Sequence, residues 1–126
     1  MNVTSQLRVV FFRTDQGNEP VREWLEGLGT RDERIIDADI TIVAEHWPLV
    51  ARTRLVKKLQ GEENLWEIRT RISKGKRIAR VLFTVEAGEI ILLHGFIKKS
   101  QKTPQRDLRL ARKRSELWRG RSGSHE

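Results

Sequence analysis

The chain has no cysteine and no tyrosine among its 126 residues. Without cysteine there is no disulfide framework, no thiolate metal site and no thiol nucleophile. Without tyrosine there is no phenol for acid–base work. The three histidines stand at 46, 94 and 125, with no metal-ligand spacing, so neither a metal nor a cofactor is expected. His46, ahead of Trp47-Pro48, reads as a helix-end residue. Long apolar runs are missing as well. None approaches a membrane span, and the chain opens on no basic-then-apolar leader, so a cytoplasmic protein without a membrane partner is expected.

Positive charge is what the chain has in excess. The formal net charge is +8, and it is unevenly placed. Residues 1–64 hold nine Lys/Arg against eleven Asp/Glu, whereas residues 65–126 hold sixteen against six. A basic half of this kind points to a polyanion, most often nucleic acid. The length fits one domain with one ordinary core, placed at residues 1–119, with a disordered Gly/Ser/Arg-rich tail at 120–126.

Leu7-Arg8-Val9-Val10-Phe11-Phe12-Arg13 reads as a first strand. Glu19-Pro20 opens a short helix with Val21, Trp24, Leu25 and Leu28 on one face and Gly29 as its stop. Thr30 fits the cap of a second helix, striped by Ile36, Ile40, Val43 and Trp47 and ended or kinked by Pro48. The pair forms a helical hairpin over the sheet, its tryptophans belonging to the core. Residues 49–61 read as either more helix or an extended connector, carrying Lys57 and Lys58 to the sheet. Thr103 as cap and Pro104 as first residue start a last helix to about Arg119, with Leu108, Ala111, Ser115 and Trp118 on one face.

Three consecutive strands joined by short turns organise the chain, from Leu65-Trp66-Glu67-Ile68-Arg69 to Leu93-His94-Gly95-Phe96-Ile97-Lys98-Lys99. If each turn closes symmetrically, Ile72 faces Arg77 and Val85 faces Glu89. Arg69 then lies opposite Arg80, and Arg80 opposite His94, giving a row of three basic groups on one face. A one-residue slip in either turn would split the row between faces. The other face would carry Trp66, Ile68, Ile72, Ala79, Val81, Phe83, Val85, Ile91, Leu93 and Ile97 as the core. A buried isolated charge is costly, so the face of the row, with Leu82, Leu92 and Phe96, is expected to be open and concave. Two adjacent arginines are best explained by an anion between them. The plainer alternative is a half-exposed sheet with solvated arginines and a strand histidine satisfied by its neighbours.

The order Leu65-Trp66-Glu67-Ile68-Arg69, Arg80-Val81-Leu82-Phe83, Leu92-Leu93-His94-Gly95-Phe96, Lys98-Lys99 and Lys102-Thr103-Pro104 resembles the phage-derived HigB-like branch of RelE-type toxins. The resemblance spans roughly residues 7–119, with residues 65–104 carrying most of it. It implies an α+β, RelE-like fold: an N-terminal strand, a helical hairpin packed on a curved antiparallel sheet, and a C-terminal helix. It also implies the toxin of a type II toxin–antitoxin pair, a ribosome-dependent endoribonuclease that enters the A site, meets mRNA and rRNA, and is held by a HigA-like helix-turn-helix antitoxin. By this resemblance Arg69 and Arg80 contact the scissile phosphate and Lys98 is the basic residue after the last strand. His94 is the candidate acid or base, kept neutral by neighbouring cations. Lys57, Lys58, Arg71, Lys99 and Lys102 grip the RNA backbone. The absence of tyrosine departs from many members of the group and implies slow cleavage away from the ribosome. Two other readings stay open: a gyrase-directed toxin of the same fold, and a noncatalytic nucleic-acid-binding protein.

Overall fold

In a computed structural model, which describes residues 6–99 and 102–123, the elements follow in the order β1 (Arg8–Phe11), α1 (Pro20–Glu26), α2 (Thr30–His46), a 3-10 turn at Leu49–Arg52, β2 (Val56–Lys58), β3 (Trp66–Ile72), β4 (Arg77–Glu86), β5 (Glu89–Ile97) and α3 (Gln105–Gly123). The strands form one five-stranded sheet in the order β1-β5-β4-β3-β2. The expected all-antiparallel sheet is corrected at one edge. β1 runs parallel to β5, with Val10 beside Ile91, because the helical hairpin and three strands intervene before β5 returns to it. The uncertain stretch after Pro48 resolves into the 3-10 turn and the short edge strand β2, whose Val56 is buried opposite Ile68.

Each face of the sheet has its own cover. α1 and α2 lay Val21, Leu25, Ile36, Ile40, Val43 and Ala44 on Ile68, Ile72, Ala79, Val81, Phe83, Ile90 and Leu92. Trp47 stands edge-on to Trp66 and Phe83, at 4.9 and 5.7 Å between ring centres, as expected of core aromatics. The hairpin joint differs slightly in detail. Gly27 caps the end of α1, and Gly29, at φ 93°, takes the N-cap position expected of Thr30. On the second face α3 lays Leu108, Ala111 and Trp118 on Phe12, Leu82, Ile91 and Leu93. That face is therefore covered along β5 and part of β4, not open throughout. Ile91 and Leu93 belong under α3, and Leu92 under the hairpin, the reverse of the expected assignment.

The reversal has a local cause. The turn between β4 and β5 holds only Ala87 and Gly88, at φ 48° and 80°, so Glu86 pairs with Glu89 and Val85 with Ile90. Two residues with positive φ are what a tight hairpin turn requires. This one-residue slip alone would turn His94 away from Arg80. A bulge undoes it: Phe83 pairs with Leu92 and Leu82 with His94, leaving Leu93 as an extra residue. Arg80 then pairs with Phe96 rather than His94, yet His94 stays on the face of Arg80. The β3–β4 hairpin needs no such correction, since Ile72 pairs with Arg77 and Arg69 with Arg80. α3 runs on to Gly123 instead of stopping at about Arg119, and residues 124–126 of the expected tail lie outside the described residues.

Past the bulge, Gly95 faces the helical hairpin between His94 and Phe96, which face α3. A side chain at this position would overlap the Trp24 indole, so glycine is what lets α1 settle on β5. Gly95→Ala is expected to cost about 1–3 kcal/mol through overpacking. Chemical denaturation would show a lower midpoint with an unchanged slope, and an unmoved midpoint would mean that α1 does not depend on this contact.

Candidate functional site

Register and alternation place Lys57, Glu67, Arg69, Arg71, Ile78, Arg80, Leu82, His94 and Phe96 on the face that α3 covers only in part. Lys58 alternates to the other side, where its ammonium lies 6.0 Å from the Trp66 ring, so the two adjacent lysines do not act together. Lys98 joins the face from the end of β5, its backbone N–H donating to the Ile78 carbonyl at 2.7 Å. Lys99 and Lys102 are exposed ahead of α3, on either side of residues 100–101, which lie outside the described residues. The expected set of cations thus divides. Lys57, Arg69, Arg71, Arg80 and Lys98 share the face, while Lys58 turns to the other side of the sheet.

Arg80 is 1% exposed. Such burial is tolerated because Glu67, itself fully buried, lies 3.3 Å from its guanidinium. Arg80 donates to the Thr103 hydroxyl at 3.0 Å, and that hydroxyl donates on to Glu67 at 3.4 Å. Thr103 is therefore not the helix cap. Pro104 stands at the N-cap position, its carbonyl accepting from the Leu108 N–H at 3.0 Å, and the Thr103 side chain seals the ion pair instead. The second carboxylate oxygen of Glu67, Oε1, is buried without a hydrogen-bond partner.

Arg69 is the accessible member of the arginine pair. It is half-buried, donates to the Arg54 carbonyl at 3.2 Å, and keeps its Nε without a partner. Burial holds the Lys98 ammonium below the usual lysine range, and Arg80, Arg69 and Lys57 push it the same way, with Glu67 opposing. A lysine so placed gives up its proton more readily than a free one.

His94 is 16% exposed, and its Nε2 lies 2.6 Å from Oδ1 of the buried Asp107 at the start of α3. Its ring stacks on Phe96 at 5.6 Å between centres. Its pKa is lowered, as expected, but burial is the main cause; Asp107 raises it, and the cations Arg114 and Arg106 contribute less. Arg114 ties α3 down nearby by donating to the Leu93 carbonyl at 2.8 Å. Among the described residues no three His, Cys, Asp or Glu side chains are grouped so as to hold a metal ion, and no helix is long and apolar enough to cross a membrane.

The sequence reading missed Glu67, Thr103, Asp107 and Arg54. Glu67 was within reach, because it stands two residues from Arg69 on one strand and shares its face. Asp107 and Thr103 are brought in by α3 across a distance in sequence, and no local pattern signals them.

Two outcomes follow. Glu67→Ala removes the carboxylate paired with a buried guanidinium and is expected to cost about 3–5 kcal/mol of stability, much of it recovered in Glu67→Leu/Arg80→Met. Equal denaturation midpoints for Glu67→Ala and the unaltered chain would refute the pairing. His94 should titrate below its ordinary value of 6.5, and Asp107→Asn should lower it further, followed by NMR of the imidazole ring. Because folding lowers this pKa, the stability His94 contributes is complete above pH 6.5 and is lost as pH falls below it through the folded value. An imidazole titrating at or above the ordinary value would contradict its burial.

The family model described as Phage derived protein Gp49-like (DUF891) matches residues 23–116. No curated protein matches the chain.

Proposed function

We propose, from the premise that this chain belongs to the phage-derived Gp49-like proteins, a RelE/HigB-like toxin family of toxin–antitoxin systems, that it is a toxin that cleaves translated mRNA on the ribosome. In this reading the fold is RelE-like, the protein works in the cytoplasm at the ribosomal A site, and a HigA-like helix-turn-helix antitoxin holds it inactive. The observation that carries the reading is the convergence of Arg69, Arg80, Lys57 and Lys98 on one partly uncovered sheet face, where the Glu67 carboxylate is buried against Arg80.

The chemistry follows from that arrangement. The ribose 2′-hydroxyl attacks the adjacent phosphorus, the bond to the 5′-oxygen breaks, and the products are a 2′,3′-cyclic phosphate and a 5′-hydroxyl. Charge builds on the phosphorane oxygens, and fixed cations stabilise it without reorganising. Arg69 and Lys98 supply that charge, with Arg80 setting their positions from behind. Lys98, its pKa already depressed, protonates the departing 5′-oxygen. His94, kept neutral by burial and oriented by Asp107, takes the 2′-hydroxyl proton. Lys57 and Arg71 lie on the same face, where they hold the backbone on either side.

One observation favours a second reading for His94 alone. Its ring is mostly covered and tied to Asp107, which suits a clasp between β5 and α3 as well as a base. A gyrase-directed toxin or a noncatalytic nucleic-acid-binding protein would need no more of it than that.

The test is inducible expression in bacteria with mapping of new mRNA 5′ ends. Cuts at a fixed phase within translated codons are expected, reduced about 100-fold or more in Arg69→Ala/Lys98→Ala. Both changes are at groups outside the buried pair, so the fold is retained. His94→Gln alone separates base from clasp: lost cuts in a folded protein support the base. Growth arrest with intact mRNA would overturn the nuclease reading in favour of another target such as gyrase, and neither arrest nor cuts would leave a binding protein.

A further inference from the structure

The outer face of α2 carries a pattern that packing on the sheet does not require. Opposite the buried Ile36, Ile40 and Val43, helical spacing sets Arg31, Arg34, Ala38, Ile42 and Glu45 on one side, all of them exposed. Ile42 is 42% exposed, and Leu49, in the 3-10 turn just past the helix, is 70% exposed. Single exposed apolar residues are ordinary on a protein surface. The charges around Ile42 are not.

Arg31 in the first turn and Glu45 in the last run against the helix dipole, which favours acids at the N-terminus and cations at the C-terminus. The acids of the first turn do not offset this on the outer face. Asp32 turns to the sheet, where its carboxylate accepts from the Ser73 N–H at 3.0 Å and from the Ser73 hydroxyl at 3.3 Å. Among the described residues Arg31, Arg34 and Glu45 form no ion pair. The face is thus basic at one end, apolar in the middle and acidic at the other, and turned end for end it is its own complement.

The spacing fits that complement. From the midpoint of Ala38 and Ile42, Arg34 lies six residues one way and Glu45 five the other, about 9 and about 7.5 Å along an axis that rises 1.5 Å per residue. Two copies of α2 laid antiparallel about this midpoint put each Ile42 on the Ala38 of the other copy, where a methyl leaves room for it. Each Arg34 then comes beside the Glu45 of the other copy, and the two helix dipoles oppose.

We propose that this face is the interface of a reversible homodimer, isologous about a twofold axis through that midpoint. One helix per copy buries less than the standard interface of about 1,600 Å², so a Kd of about 10–100 µM is expected. α2 packs on the side of the sheet away from Lys57, Arg69 and Lys98, so the dimer leaves both basic faces uncovered. The inference does not rest on the nuclease reading, because association needs no nucleic acid.

The experiment is sedimentation equilibrium of the full chain alone, from low micromolar to near-millimolar concentration. The weight-average mass should rise from 14.7 kDa toward twice that value. Ile42→Asp should hold the mass at that of the monomer throughout, with an unmoved denaturation midpoint because the side chain is exposed. Arg34→Glu and Glu45→Arg should each weaken association about tenfold, since the twofold axis enters each change twice and turns attraction into repulsion. Arg34→Glu/Glu45→Arg in one chain restores the attraction and should return Kd to within about twofold of the unaltered chain. A monomer at every concentration would overturn the dimer and leave the face to a helix of another protein. Association that survives Ile42→Asp would overturn the choice of surface, and a double variant no tighter than either single one would overturn the antiparallel pairing.

Discussion

The buried contact between Glu67 and Arg80 is the constraint on which the working face depends. A guanidinium 1% exposed is made admissible by a carboxylate 3.3 Å away and a threonine hydroxyl that closes the gap between them. Thr103 comes from the segment that leads into α3, so the hydroxyl that bridges the ion pair also ties the start of that helix to the sheet. His94 to Asp107 and Arg114 to the Leu93 carbonyl repeat the device further along β5. α3 is thus attached to the sheet by polar side chains as well as by Ala111 and Trp118. Polar attachments specify one position where apolar packing alone would tolerate several.

Much of this arrangement was legible in the sequence, for reasons that differ from residue to residue. The β3–β4 hairpin could be registered by counting, because its four-residue turn leaves no ambiguity between Ile72 and Arg77. Pro20 and Pro104 marked helix starts, and the apolar spacing along α2 and α3 named the buried faces. The second hairpin could not be counted in the same way. Its turn is one residue shorter than the Glu86-Ala87-Gly88 stretch suggests, and its bulge adds one residue back. The two displacements cancel for His94 and do not cancel for Ile91, Leu92 and Leu93. This explains how the basic row kept its face while the apolar residues beside it exchanged theirs. A bulge leaves no compositional trace when the extra residue, here Leu93, is as apolar as its neighbours.

The polar partners were hidden for a different reason. Glu67 lay two positions from Arg69, yet a charge on a strand is ordinarily read as a solvated residue, and only its burial shows that it compensates Arg80. Asp107 and Thr103 depend on where α3 lands, which is a tertiary fact. The parallel edge at β1 has the same origin. Strand propensity marked Leu7 to Arg13, within which β1 forms, but nothing in that stretch names the neighbour it will find.

These partnerships divide the basic groups into two kinds, and the division bears on function. In the half of the chain that carries most of the positive charge, the two acids closest to the working face, Glu67 and Asp107, are each buried against a chosen partner. Their charge is spent inside the fold and does little to screen the surface. What the uncovered part of the face presents to solvent is then Lys57, Arg69, Arg71 and Lys98, with Arg54 lining a groove beside Arg69 and Arg71. Interspersing acids among these cations would have stabilised them locally and weakened the attraction for an anion. Keeping the acids beneath the surface satisfies the one cation that must be buried and leaves the others mutually repelled, which is why the shift at Lys98 has Arg80, Arg69 and Lys57 among its causes. A phosphate arriving there relieves that repulsion at several groups at once. A protein that had merely to be soluble would gain nothing from such an arrangement; one that must hold a polyanion would.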